Sequence, residues 1–205
     1  AFAVCKGLQS LVIPDSVGSL GDYLCMDSHN LRTVVIGGSL AIPFRAFFRC
    51  YSLEEVTLGE GIPSIGIASF QECSSLREIN FPQALTSIGS YAFENCTSLV
   101  NLVLPDLLKS IGEWAFKGCS NLTSLYLPRH ANTLIAERAF ASCTKLDNLV
   151  IPGNIRAVGE AAFSSCTGIR NLQISEGVVS IEETAFQNAS IASLVLPTTI
   201  RYVDN

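Results

Sequence analysis

The 205-residue sequence is poor in most of what catalysis, membrane insertion or nucleic-acid binding requires. It holds only two histidines, His29 and His130, too far apart in the chain pattern for either to orient the other, and acid–base catalysis needs titratable groups that converge. Gly-x-Ser-x-Gly, phosphate-loop, His-Glu-x-x-His and Cys-x-x-Cys motifs are all missing. The expectation is therefore a non-enzymatic chain with no cofactor and no metal, its two histidines solvated. No stretch approaches the ~18 uninterrupted apolar residues of a membrane span. The first residues also lack the charged-then-apolar order of a signal peptide. Positive charge is scarce as well: 13 Lys and Arg stand against 18 Asp and Glu, for a net charge of −5. Without a basic face to meet phosphate, neither nucleic acid nor membrane insertion is expected.

What the sequence does have is apolar residues in strict order. Hydrophobic residues make up 48% of the chain and mean hydropathy is positive, enough to bury a core. Cys50, Cys73, Cys96 and Cys119 are 23 residues apart, one step of 24 reaches Cys143, and 23 more reach Cys166; Cys5 belongs to the same series. Three residues before these cysteines stand Phe47, Phe70, Phe93, Phe116, Phe140 and Phe163, in a frame that extends from Phe2 to Phe186. Apolar residues recur after each cysteine, as Leu76, Ile79 and Phe81 or Leu122, Leu125 and Leu127. Pro14, Pro82, Pro105, Pro128 and Pro152 then fill one slot, and pairs such as Leu108 and Ile111 lead to Gly66, Gly89, Gly112 and Gly159. Deviations keep the frame. Cys25 and Ser28 take the Phe and Cys slots of the second unit, Arg129 to Thr133 carries one inserted residue, and Ala189 replaces Cys in the last unit, one residue short before Ile191.

The alternation Leu125, Tyr126, Leu127 marks a short half-buried strand in each unit. Proline ends its pairing, and the Glu-Trp-Ala-Phe or Glu-Ala-Ala-Phe stretch has the length of one helical or 3₁₀ turn. No unit buries its apolar side alone, whereas nine stacked units align Leu, Ile, Phe and Cys into ladders. The expected fold class is an α/β solenoid: a right-handed superhelix with a concave parallel sheet of nine strands and helical or 3₁₀ turns on its convex side. Residues 1–205 form one domain of about nine 23-residue repeats, truncated at both ends.

Cys-Ser-Asn-Leu-Thr-Ser-Leu-Tyr-Leu-Pro, preceded by Lys-Ser-Ile-Gly-Glu-Trp-Ala-Phe-Lys-Gly, resembles the BspA-like leucine-rich repeat family along the whole chain. The resemblance implies the concave parallel sheet. It also implies a cell-surface or secreted protein concerned with adhesion and with binding host proteins.

The eight cysteines, in frame with a hydrophobic slot, read as buried free thiols, with one or two disulfides or a metal as alternatives. Sequons at Asn95, Asn121 and Asn188 are explained by the repeat consensus. Two surfaces stand out. The outward strand positions form a polar column (Ser10, Thr33, Glu55, Glu78, Asn101, Ser124, Asn148, Asn171, Ser193). Beside it runs a column with six apolar or aromatic members: Val12, Val35, Val103, Tyr126, Val150 and Val195. A protein or glycan partner is expected on the concave face at Tyr126, Val103, Val150, Asn101, Ser124 and Asn148; strand propensity alone is the competing reading. A second contact patch is expected at Phe44, Phe48, Tyr51 and Ile67, against local packing of irregular units. The function classes left open are an adhesion-type binding module, a structural spacer and an intracellular interaction scaffold.

Overall fold

The computed structural model describes residues 1–130 and 132–204. Its described residues form fifteen short strands: β1 (Ser10–Ile13), β2 (Thr33–Ile36), β3 (Glu55–Leu58), β4 (Ser64–Ile65), β5 (Glu78–Asn80), β6 (Ser87–Ile88), β7 (Asn101–Val103), β8 (Ser110–Ile111), β9 (Ser124–Tyr126), β10 (Leu134–Ile135), β11 (Asn148–Ile151), β12 (Ala157–Val158), β13 (Asn171–Ile174), β14 (Ser180–Ile181) and β15 (Tyr202–Val203). Every pairing is parallel and joins one turn to the next, as in Val34↔Val56 and Val56↔Ile79. The chain is a β-solenoid.

The main face differs from the expected nine-stranded sheet. It consists of two four-stranded sheets, β1-β2-β3-β5 and β7-β9-β11-β13, with no ladder between β5 and β7. The ninth turn, one residue short, contributes only the isolated bridge Asn171↔Ser193. On another side two-residue pairs, four of them Ser-Ile, build a seven-stranded sheet from β4 to β15. The glycines after these pairs are required by close stacking. A Cβ on Gly66, Gly89, Gly112 or Gly159 would lie 2.6, 2.7, 2.5 or 2.6 Å from backbone of the preceding turn.

The convex turns also need correction, because the described residues contain no helix of either kind. Each turn places two residues in the left-handed region, for example Trp114 (φ 60) and Gly118 (φ 74), or Arg138 (φ 52) and Ser142 (φ 61). A helix needs consecutive right-handed residues, so this alternation rules it out. It aims alternate N–H groups at the next turn instead: Trp114 to the Glu137 carbonyl (3.0 Å), Phe116 to Ala139 (2.7 Å) and Gly118 to Ala141 (2.9 Å). The intervening N–H groups close tight turns, as Lys117 does on the Trp114 carbonyl at 3.1 Å.

The core runs without interruption from Ile13 to Ala185. Phe47, Phe70, Phe93, Phe116, Phe140 and Phe163 are fully buried and continue to Phe186 as a column of near-parallel rings, centroids 5.1 to 5.5 Å apart. All eight cysteines are free thiols, and all but Cys5 are buried. The thiols of Cys50, Cys73, Cys96, Cys119, Cys143 and Cys166 each donate to the carbonyl of the Phe-slot residue one turn back, at 3.1 to 3.4 Å. Ser28 makes the same bond to the Phe2 carbonyl at 3.0 Å. The slot therefore offers a polar partner that the pattern of apolar residues did not reveal. Burial pushes the Cys25 thiol up to about 11 and Cys50 to about 12, and raises Cys73, Cys96 and Cys119 as well.

Three outcomes follow from this architecture. Thr184 is a β-branched residue at φ 54, so Thr184→Gly should raise the urea-unfolding free energy by about 1 kcal/mol. In a helix the same change would cost about 1 kcal/mol, so the sign decides. Cys119→Ser should cost no more than about 1 kcal/mol, because its hydroxyl inherits the Phe93 carbonyl; a loss of several kcal/mol would mean the hydroxyl is stranded. Unfolded thiols ionise near pH ~8.5, whereas the folded ones stay protonated to higher pH. Their contribution to stability is thus complete below that value and is lost as pH rises, so the urea midpoint should fall between about pH 9 and 11; a flat profile would contradict this.

Candidate functional site

The sheet face is set by strand alternation. In β11, Leu149 and Ile151 are buried while Asn148 and Val150 face outward. Register then aligns equivalent outward residues, Asn101 beside Ser124 and Val103 beside Tyr126 in one pair, Ser124 beside Asn148 in the next. The polar column is internally bonded: Ser124 Oγ to Asn101 Oδ1 at 2.6 Å, and Asn171 Nδ2 donating to Asn148 Oδ1 at 2.8 Å. In the apolar column Val103, Tyr126 and Val150 are 62%, 59% and 39% exposed, so Tyr126 stands clear of the sheet between two valines.

The six residues expected to form one site divide between two shallow cavities. Tyr126, Ser124, Asn148 and Val150 line one of about 250 Å³, together with Arg129 and Pro152. Asn101 and Val103 line another of about 490 Å³ at the break between β5 and β7, with Arg77, Glu78 and Asn80. A third, of about 360 Å³, lies along the strand entrance and is lined by Arg77, Ser98, Val100, Asn121, Thr123 and Lys145. Arg77, Arg129 and Lys145 were missed by sequence reasoning. The signal was the slot just before each strand, where Arg32, Arg77 and Arg170 recur, but their meeting with Lys145 needs the stacking.

The second expected patch divides differently. Phe48 is only 9% exposed, and the guanidinium carbons of Arg45 and Arg49 lie 5.0 and 4.7 Å from its ring centroid. It is a packed residue under two cations, not an exposed aromatic. Phe44 is half-buried, edge-on to Tyr23 with centroids 5.2 Å apart and itself under Arg45. Tyr51 and Ile67 are exposed; the Tyr51 ring lies tilted against His29, centroids 4.9 Å apart, and its hydroxyl donates to Glu72 Oε2 at 3.3 Å. Phe48→Ala should therefore cost about 2–4 kcal/mol in chemical denaturation of the isolated protein; unchanged stability would return Phe48 to the surface.

The two histidines lie in separate places. His29 Nε2 is 3.5 Å from Asp27 Oδ1, and His130 Nδ1 is 2.8 Å from Asp106 Oδ2. The Asp106 carboxylate is held below its usual range by the Arg129 N–H and then by His130. It staples the inserted loop, and among the described residues no three metal-ligating side chains converge. No helix among them is long and apolar enough to cross a membrane.

This geometry of stacked turns agrees with comparison to known proteins. The model of the BspA type leucine rich repeat region matches in six copies over residues 1–100, 40–135 and 133–205. The chain belongs to the BspA-type leucine-rich repeat family. No curated protein sequence matches it. Among solved structures, this BspA-type chain is similar to a leucine rich cell surface protein from Faecalibacterium prausnitzii (24% identity, TM-score 0.72, covering 96% of this chain and 65% of that one). It is also similar to a leucine-rich repeat protein from Eubacterium ventriosum (14%, 0.71, 96% and 63%) and to the T. pallidum leucine rich repeat protein (24%, 0.60, 81% and 69%). At these identities the likeness concerns the fold. The BspA-type chain spans about two thirds of the length of each of these structures.

Proposed function

We propose that residues 1–205 act as one non-enzymatic binding domain of a cell-surface or secreted adhesion-type protein, engaging a host protein or glycan on the outer face of its main sheet. The family is a protein-interaction family, and a cell-surface relative supports the location. The observation that carries the reading is Tyr126. A large aromatic with a hydroxyl, 59% exposed and flanked by Val103 and Val150, sits at the wall of a cavity rimmed by Ser124 and Asn148. Such residues anchor interfaces at little entropic cost. A spacer needs only a uniform solvated surface, and this face is not uniform. One observation favours a second reading, an intracellular scaffold: eight free thiols suit a reducing compartment.

The test is a panel of immobilised extracellular-matrix proteins and glycans probed with the wild-type domain and with Tyr126→Ala. Any ligand bound through the sheet should lose about 2 kcal/mol of affinity in the variant while stability changes little. Full affinity retained in both Tyr126→Ala and Val103→Ser would move the site off this face.

A further inference from the structure

We propose that the trough where the sheet-face cavities of about 490 and 360 Å³ meet binds an anionic saccharide, with its acid groups, carboxylate or sulfate, engaged by Arg77 and Lys145. This rests on the reading of the sheet face as a ligand surface and adds the class of ligand. Arg77 and Val100 line both cavities, of about 490 and 360 Å³, so the two adjoin at the break between β5 and β7. The smaller one has a distinctive lining: two cations, the hydroxyls of Ser98 and Thr123, the Asn121 amide and Val100, with no carboxylate. In a chain of net charge −5 that is a local reversal of sign.

Both cations are available. Arg77 is exposed and has no ion-pair partner among the described residues, leaving its planar donor fork free for a carboxylate or sulfate. Lys145 is held over the cavity by one bond, Nζ to Asn121 Oδ1 at 2.6 Å, while Asn121 Nδ2 is fixed to the Thr97 carbonyl at 2.8 Å. The ammonium keeps two more donors for a ligand. The two residues belong to turns three apart, about 14 Å at the strand spacing, so the ligand must be extended across the strands.

The larger cavity decides between an acidic sugar and an acidic peptide. It is lined by Glu78, Asn80, Gln83 and Asn101. A sugar unit can turn its acid group to Arg77 and Lys145 and present hydroxyl donors to Glu78 and the amide oxygens, whereas a glutamate side chain has only its carboxylate to offer there. The cavity floor of Val103 and Pro105 suits the apolar face of a sugar ring.

The experiment is fluorescence-polarisation binding of labelled hexagalacturonate and a heparin-derived hexasaccharide to the whole domain at low salt. Fully methyl-esterified hexagalacturonate and hexaglutamate serve as comparators. The expected result is binding of at least one acidic saccharide, lost on esterification, and weakened about ten-fold by Arg77→Ala and by Lys145→Ala with unchanged circular dichroism and unfolding midpoint. Glu78→Gln should weaken saccharide binding further. Hexaglutamate binding as tightly as the saccharides, and more tightly to Glu78→Gln, would assign the trough to an acidic peptide instead. Absence of binding, or binding indifferent to both cation variants, would overturn the proposal. If that happens while Tyr126→Ala still weakens other ligands, the sheet face remains the binding surface and only the ligand class is wrong.

Discussion

Everything in this molecule must fit one distance, the rise from one turn to the next. Backbone bonds between turns hold it near the spacing of paired strands, ~4.8 Å, and the Phe ring centroids follow at 5.1 to 5.5 Å. A side chain therefore packs mainly against its own counterparts above and below. Planar rings satisfy that condition when they stay parallel. A thiol satisfies it because it is small and still donates, weakly, to the carbonyl one turn back. Ser28 does the same with a stronger donor, which is why an interruption in the cysteine series costs the column no hydrogen bond. The glycines after the Ser-Ile pairs answer to the same pitch, since any Cβ there would enter the turn beneath.

The pitch also explains how the chain tolerates its one insertion. Between Arg129 and Thr133 the loop is tied back to the preceding turns: the Arg129 N–H and His130 imidazole hold Asp106, and Thr133 Oγ1 donates to the Leu108 carbonyl at 2.6 Å. Pairing is restored immediately afterwards, with Leu134 opposite Ser110 and Ile135 opposite Ile111. The inward register is therefore the same on both sides of the insertion.

The solenoid and its inward slots were legible because the same apolar types recur at a fixed period, and period is what a sequence states most directly. The second sheet was not: two-residue strands such as Ser87–Ile88 are too short to show alternation. The left-handed turns were hidden for a different reason. The first left-handed position of each turn holds residues such as Tyr91, Trp114, Arg138 and Ala161, not the glycine or asparagine that signals positive φ, and the second holds them in only some turns, as Asn95, Gly118 and Asn188. There the bonds to the neighbouring turn override local preference, and a stretch that looks helical by composition is bent out of a helix. Of the candidate surface, the outward columns were legible from alternation, while the cavities depend on the break between β5 and β7 and on long side chains arriving from different turns. Phe48 was misread because its column is polar elsewhere, and the two arginines that roof it are one and three residues away in the chain, not on the same face of any regular element.

Because stability resides in inward columns whose members bond to one another, the outward columns carry little of it and are free to differ from turn to turn. That freedom is used unevenly. Glu55 and Glu78 stand side by side in register, an arrangement that like charges disfavour and that a face selected only for solubility would avoid. From the very next turn, at Asn101, the same column becomes a neutral ladder of amides and hydroxyls beside Val103, Tyr126 and Val150. Apolar side chains exposed to water beside polar ones already bonded to each other gain nothing for the isolated fold. They would gain if a second molecule covered them, which is the physical ground for proposing this half of the sheet as the binding face.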